Sequence, residues 1–244
     1  RGVTKELNDR ARAMKSPVPF WFMNGPMSEW HVVKEFELMA EKGISEVIAH
    51  PRYGLDCEYL SDDWFELFGW CVREASKHNM KIWIYDELNW PSGTADYKVI
   101  KTNPEYQGKH LATAVTPLES INKEDIDNAL FVVAANIVEG NITKTRVIDS
   151  PSDINKLSGD WHIFTYTKRY DRFYVDSLSK EAMNCFLKLT HEEYKKRFAH
   201  EFGKTINAVF TDEPSVYWVT VGYDDWNLPY TDDFFETYHE RYGE

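Results

Sequence analysis

Two acidic dipeptides, Asp86-Glu87 and Asp212-Glu213, each follow directly on an apolar run, Lys81-Ile82-Trp83-Ile84-Tyr85 in one case and Ala208-Val209-Phe210-Thr211 in the other. Breaking a glycosidic bond needs two carboxyl groups, one to protonate the leaving oxygen and one to act as base or nucleophile. Glu87 and Glu213 are the natural pair. Asp86 and Asp212 precede them and, by the period-2 alternation of extended chain, point differently. They are suited to orienting the glutamates, binding a sugar hydroxyl or holding a loop. A single Asp-Glu at a strand end reads equally well as a loop cap or a surface ion pair. Two of them on strands of one sheet favour a site.

Other strand ends carry polar groups too. Asn24 closes Pro19-Phe20-Trp21-Phe22-Met23, and His50 and Arg52 flank Pro51 after Glu46-Val47-Ile48-Ala49. Arginine offers a planar fork of donors for hydroxyls or a carboxylate, although the same residues could brace a loop through backbone carbonyls. Trp83, inside a strand, reads as core. Asn89 and Trp90, in the loop Leu88-Asn89-Trp90-Pro91-Ser92-Gly93, are candidates for substrate contact, with Trp90 as a sugar platform. Clustered carboxylates and carbonyls are the hard oxygen ligands that calcium prefers. Neither an EF-hand loop nor a His-Glu-x-x-His motif is present, so no metal ligand is assigned.

The elements that must position these groups alternate at first. Strands are expected at 19–24, 46–49 and 81–85. Between them lie helices capped by Ser28, with Val33, Phe36 and Ala40 on one face, and by Ser61, with Trp64, Phe68, Cys71, Val72 and Ala75 on one face. Strand and helix in alternation imply parallel pairing with right-handed crossovers, and ligands bind at the carboxyl ends of such strands. Runs of β type then follow at 111–115, 130–138, 143–148 and 161–166, with Asn141 at a hairpin turn and no amphipathic helix between them. Phe173-Tyr174-Val175-Asp176 is expected to return as a further parallel strand. A long helix should follow, capped by Ser179 and stopped by Gly203, then the strand 208–211 and a last helix within 231–242. The fold class expected is therefore α/β, a partial TIM-type (β/α)8 barrel of about five βα units. Residues 1–104 and 173–244 would form the barrel portion and 105–172 an antiparallel β insertion. Because five units leave a sheet edge unpaired, the native chain is expected to continue beyond Glu244. A start at Arg1 rather than Met points to an excised segment, so localisation, whether periplasmic, secreted or cytoplasmic in a bacterium, cannot be read.

With 244 residues, 43% of them hydrophobic, the chain can build a large core, and its 9 Trp, 14 Tyr and 14 Phe suit either that core or sugar-binding clefts. A net charge of −12 disfavours nucleic acid, whose phosphates demand a basic surface. No stretch approaches the ~18 apolar residues of a membrane span. Cys57, Cys71 and Cys185 lack metal spacing and cannot make a disulfide framework, which leaves them as buried thiols.

Four segments in this order, Pro19–Gly25, Ile48–Arg52, Ile84–Gly93 and Phe210–Pro214, resemble the catalytic barrel of the family-106 glycoside hydrolases, the α-L-rhamnosidases, and their relatives. Tyr-Asp-Glu with Trp-Pro-Ser-Gly is the most specific of these. The resemblance covers residues 15–100 and 173–215 and leaves the β-rich insertion unmatched. It implies a large, multidomain, inverting bacterial enzyme acting on a plant or microbial polysaccharide, with calcium in the site and further domains of the same parent protein. It also implies Glu213 as general acid and Glu87 as general base, with carboxyls roughly 6.5–9.5 Å apart. Two rivals stand beside it. One is a non-catalytic carbohydrate-binding barrel fragment; the other is a metal-dependent hydrolase built on His50, Asp86, Asp212 and Glu213.

Overall fold

The structure, a computed structural model, describes residues 17–216 and 226–243. They divide into two compact units. The first holds the described residues through Val99 together with Asn184–Pro214, and the second holds Ile100–Met183 and the described residues from Ser215 onward.

The first unit is a parallel sheet with helices on one face. Strands β1 (Phe20–Gly25), β2 (Glu46–Leu55), β3 (Lys81–Tyr85) and β8 (Ile206–Phe210) pair in that order. Helices α1 (Glu29–Glu41) and α2 (Asp62–Lys77) make the crossovers. Each starts at its expected serine: the Ser28 hydroxyl accepts from His31 N at 3.4 Å, and that of Ser61 from Trp64 N at 3.2 Å. These caps satisfy N–H groups that the first helical turn leaves unpaired. The inward stripe of α1 centres on Val32 and Phe36 rather than on Val33. Met23, Val47, Ala49, Ile82 and Ile84 line the helix-facing side of the sheet and join Phe36, Trp64 and Phe68 in one core. Burying such side chains contributes roughly 1.5–3 kcal/mol each.

After the short helices α3 (Lys98–Thr102), α4 (Lys123–Asp127) and α5 (Pro151–Ile154), helices α6 (Lys180–Leu189) and α7 (His191–Phe198) occupy the place where one long helix was expected. The break falls at Thr190, whose φ of −111° and ψ of −84° leave the helical region, while its hydroxyl donates to Phe186 O at 2.6 Å. A threonine bonding back to the preceding turn competes with the helical ladder. α7 is fixed to α2 by a buried bond from Trp64 Nε1 to the Tyr194 hydroxyl, 2.9 Å.

The second unit is an antiparallel sheet in the order β6-β5-β7-β4-β9. Its strands are β4 (Gln107–Pro117), β5 (Phe131–Val138), β6 (Asn141–Val147), β7 (Trp161–Val175) and β9 (Trp226–Tyr230). The β-type runs expected from alternation all lie in it. The hairpin turn is Glu139-Gly140, both at positive φ, and Asn141 opens the next strand. Ile126, Val132, Ala134, Ile148 and Ile163 form a small core of this unit.

Two expectations need correction. Phe173–Val175 is the end of the 15-residue β7, with Val175 opposite Gln107, and is not a parallel strand. The cross-strand ladder with β4 outweighs the short apolar run on which the reading rested. The parallel sheet among the described residues therefore has four strands where about five βα units were expected. The last helix, α8, is Phe234–Tyr242, and the strand before it, β9, was not foreseen: it carries Pro229 and lies at the sheet edge, where proline is tolerated. No helix among the described residues is long and apolar enough to cross a membrane. The three cysteines are free, Cys71 buried and Cys57 and Cys185 only partly so.

Candidate active site at the strand ends of the parallel sheet

Alternation along four parallel strands gives the sheet two faces of different character. Opposite the helix-packed face, register sets Phe22 beside His50, and Tyr85 beside Phe210. These side chains form an aromatic surface. His50 stacks on Tyr85 with centroids 3.6 Å apart and planes 18° from parallel. Phe20 meets His50, Tyr85 and Phe210 at 5.7, 6.2 and 5.0 Å. Phe20 and Phe22 remain 41% and 53% exposed, so this face is only partly covered among the described residues.

The segment after β3 carries Asp86, Glu87, Asn89 and Trp90, and internal hydrogen bonds hold it. Glu87 is 1% exposed, and both its oxygens are taken. Oε1 accepts from Leu88 N and Asp96 N; Oε2 accepts from the backbone N–H groups of Gly93, Thr94 and Ala95 and from the Thr94 hydroxyl, all within 2.7–3.2 Å. Residues 93–97 curl around the carboxylate. Gly93 has φ 131°, and Ala95, Asp96 and Tyr97 lie at 51°, 55° and 61°. Three consecutive non-glycine residues in the left-handed region cost on the order of 1–2 kcal/mol each, and the hydrogen bonds from the Ala95 and Asp96 N–H groups to the Glu87 carboxyl offset part of that. Burial pushes the Glu87 pKa up to about 7, while the backbone N–H groups of Asp96, Leu88, Ala95 and Thr94 pull it down.

Asp86 is fully buried and joins three elements. Its Oδ1 accepts from the Ser92 hydroxyl at 2.6 Å, its Oδ2 accepts from the Thr211 hydroxyl at 2.7 Å, and Oδ2 also lies 2.9 Å from His191 Nε2 at the start of α7. The loop after β3 is tied to the loop after β8 by Ser92. Its N–H donates to Asp212 O at 2.8 Å, and its hydroxyl accepts from Asp212 N at 2.9 Å. Asn89, 3% exposed, ties it to the end of β2, donating from its N–H to Pro51 O and accepting from Tyr53 N at Oδ1.

Asp212 is partly buried, and its Oδ2 accepts from the Tyr85 hydroxyl at 2.6 Å. Its Oδ1 takes no hydrogen bond from any described residue. Burial, followed by the hydrogen bond to Asp212 and then its charge, pushes the Tyr85 phenol well above its ordinary range, so it remains a donor. Arg52 stands between two rings, its guanidinium carbon 4.8 Å from the Phe22 centroid and 4.2 Å from that of Trp90. Trp90 is 46% exposed and precedes a cis peptide bond to Pro91. Asn24 is exposed, with no side-chain hydrogen bond among the described residues.

His50 and Glu213 stand out for what they lack. His50 is 2% exposed, yet neither ring nitrogen has a hydrogen-bond partner among the described residues. Burial, helped by Arg52, lowers its pKa to about 4, so the ring is neutral near pH 7. Glu213 follows β8, is exposed and sits at φ 45°. No described residue donates to its carboxyl. An L-residue held in the left-handed region at a strand end is the kind of local strain that collects at functional sites.

The candidates thus fall into groups: Asp86 with Thr211, Ser92 and His191; Asp212 with Tyr85 and His50; Arg52 with Trp90; Glu87 inside its own loop. Asn24 and Glu213 join none of them by contact. Among the described residues, no group of three or more His, Cys, Asp or Glu side chains is placed to hold a metal ion. Sequence reasoning missed Tyr85, Ser92, Thr211 and His191. Alternation marks Tyr85 and Phe210 as sharing a face. His191 lies 105 residues from Asp86 and left no local signal.

No protein-family model matches the chain, and no curated protein does. Among solved structures it is similar to a rhamnosidase from Novosphingobium sp. PP1Y, with a TM-score of 0.33 and 18% identity over 52% of this chain and 16% of that one. The chain spans about a sixth of that protein's length, a likeness that leaves the reading to the chemistry of the site itself.

Proposed function

We propose that the chain carries part of the active site of a glycoside hydrolase, with Glu213 as the carboxyl that protonates the leaving oxygen. One observation carries this reading: a strand-end glutamate, exposed, in a strained backbone conformation and free of hydrogen bonds from the described residues. General acids need that freedom, because their proton must pass to a substrate atom within hydrogen-bond reach. Trp90 offers a ring face for a sugar, and Arg52, oriented by its place between Phe22 and Trp90, offers donors for hydroxyls. The family-106 motifs make an inverting, rhamnosidase-like reaction on a polysaccharide the specific form of this proposal.

The second carboxyl is assigned by freedom of lone pairs. Glu87, the base implied by the motif, has both oxygens bound to its own loop. Asp212 keeps Oδ1 uncommitted while Tyr85 orients Oδ2, so it is better placed to accept a proton from water. Glu87 then folds the loop that carries Asn89 and Trp90. The test is hydrolysis of a panel of aryl glycosides by the full chain and by its parent protein. Glu213→Gln is expected to lower kcat by about 10²–10⁴ on glycosides of weakly acidic phenols, which need protonation to leave, and full turnover of those substrates by that variant would end the proposal.

A further inference from the structure

The chain has a net charge of −12, yet one concavity of the antiparallel unit is lined by cations. It is an open hollow of about 460 Å³ between strand β6 and the segment ahead of β7, with Lys144, Arg146, Lys156 and Trp161 along its sides and no acidic side chain. Lys144 and Arg146 are two apart on an extended strand and so share a face. Neither has an ionic partner among the described residues, whereas Lys156 is held 2.5 Å from Asp153. The Trp161 indole N–H donates to Ser158 O at 3.2 Å, which fixes the ring in the wall.

We propose that this concavity binds an acidic saccharide unit, one bearing a carboxylate or a sulfate ester. A fixed indole packs on the C–H face of a pyranose, and two unpaired cations from one strand neutralise the acid group. Arg146 adds a planar fork that matches either oxyanion. β6 is also the sheet edge, where lysines can serve to discourage strand pairing. Edge protection alone requires neither a concavity nor an aromatic wall, and the two roles predict different binding. This site depends on no residue of the proposed glycosidase site, so either can fail without the other.

The experiment is affinity electrophoresis and calorimetry of the full chain with a soluble polyuronate, a sulfated polysaccharide, a neutral dextran and inorganic sulfate, each at low and at physiological salt. Polyuronate or sulfated polysaccharide should bind, which also tells carboxylate from sulfate ester, while dextran and inorganic sulfate should not. The double variant Lys144→Glu/Arg146→Glu should weaken binding by at least about tenfold. Trp161→Phe, which keeps a ring on the small core, should weaken saccharide binding less. Failure of both acidic polymers to bind, equal binding of inorganic sulfate, or undiminished binding by the double variant would each overturn the proposal.

Discussion

The loop after β3 and the loop after β8 both begin with Asp-Glu, and they use that dipeptide in opposite ways. After β3 the glutamate is buried and accepts from donors along residues 88–96, and Asp86 is bonded on both oxygens. After β8 the glutamate is exposed, and among the described residues its carboxyl takes no hydrogen bond and its aspartate is bonded on one oxygen only. The same two residue types thus build a scaffold in one place and leave carboxylate oxygens free of bonds from described residues in the other. A carboxylate saturated by donors stabilises structure, while one with open lone pairs can react, and hydrogen-bond inventory separates them where residue type cannot.

Stability measurements on the full chain should break or sharpen this contrast. Glu87→Gln replaces an acceptor with an amide that meets backbone donors, and is expected to cost about 2–4 kcal/mol. Glu213→Gln should stay within about 0.5 kcal/mol of the unchanged protein. Thermal unfolding read by circular dichroism checks both, and equal stability losses would erase the contrast. A smaller loss, about 1–2 kcal/mol, is expected for Ser92→Ala, which removes a bond to Asp86 and one to Asp212.

The pH dependence of stability gives a separate reading and concerns His50. Its folded pKa, about 4, lies below its ordinary 6.5, so the unfolded chain binds more protons between those values. Stability from His50 is present above pH 6.5 and is lost as pH falls towards 4. Glu87, raised to about 7, acts in the opposite sense, losing stability as pH rises from 4.5 towards 7. The difference between the unchanged chain and His50→Asn isolates the histidine. Between pH 6.5 and 4 the variant should lose less stability than the unchanged chain, and parallel unfolding curves would show that His50 is not shielded.

Much of this arrangement was legible in the sequence. Alternation and caps located β1, β2, β3, β8 and the serine starts of α1 and α2, because those elements follow local periodicity. The reading failed where a distant partner decides the outcome. Phe173–Val175 joined the antiparallel sheet through pairing with residues near Gln107, and Thr190 broke a helix whose apolar spacing was continuous. In the site, strand-end position singled out Asp86, Glu87, Asp212 and Glu213 together. It could not tell the bonded carboxylates from the open ones, since donors such as Thr211 and His191 come from other elements.

The central claim is that Glu213 delivers the proton and Glu87 holds a loop, and leaving-group dependence tests it most directly. Hydrolysis rates should be measured for aryl glycosides of the preferred sugar whose phenols span a wide range of acidity. The account predicts that Glu213→Gln turns over the most acidic leaving groups nearly as fast as the unchanged protein and loses activity steeply as the phenol becomes less acidic. Glu87→Gln should lower all rates by a similar factor, in step with its lost stability. A steep leaving-group dependence in Glu87→Gln, with a flat one in Glu213→Gln, would contradict the account.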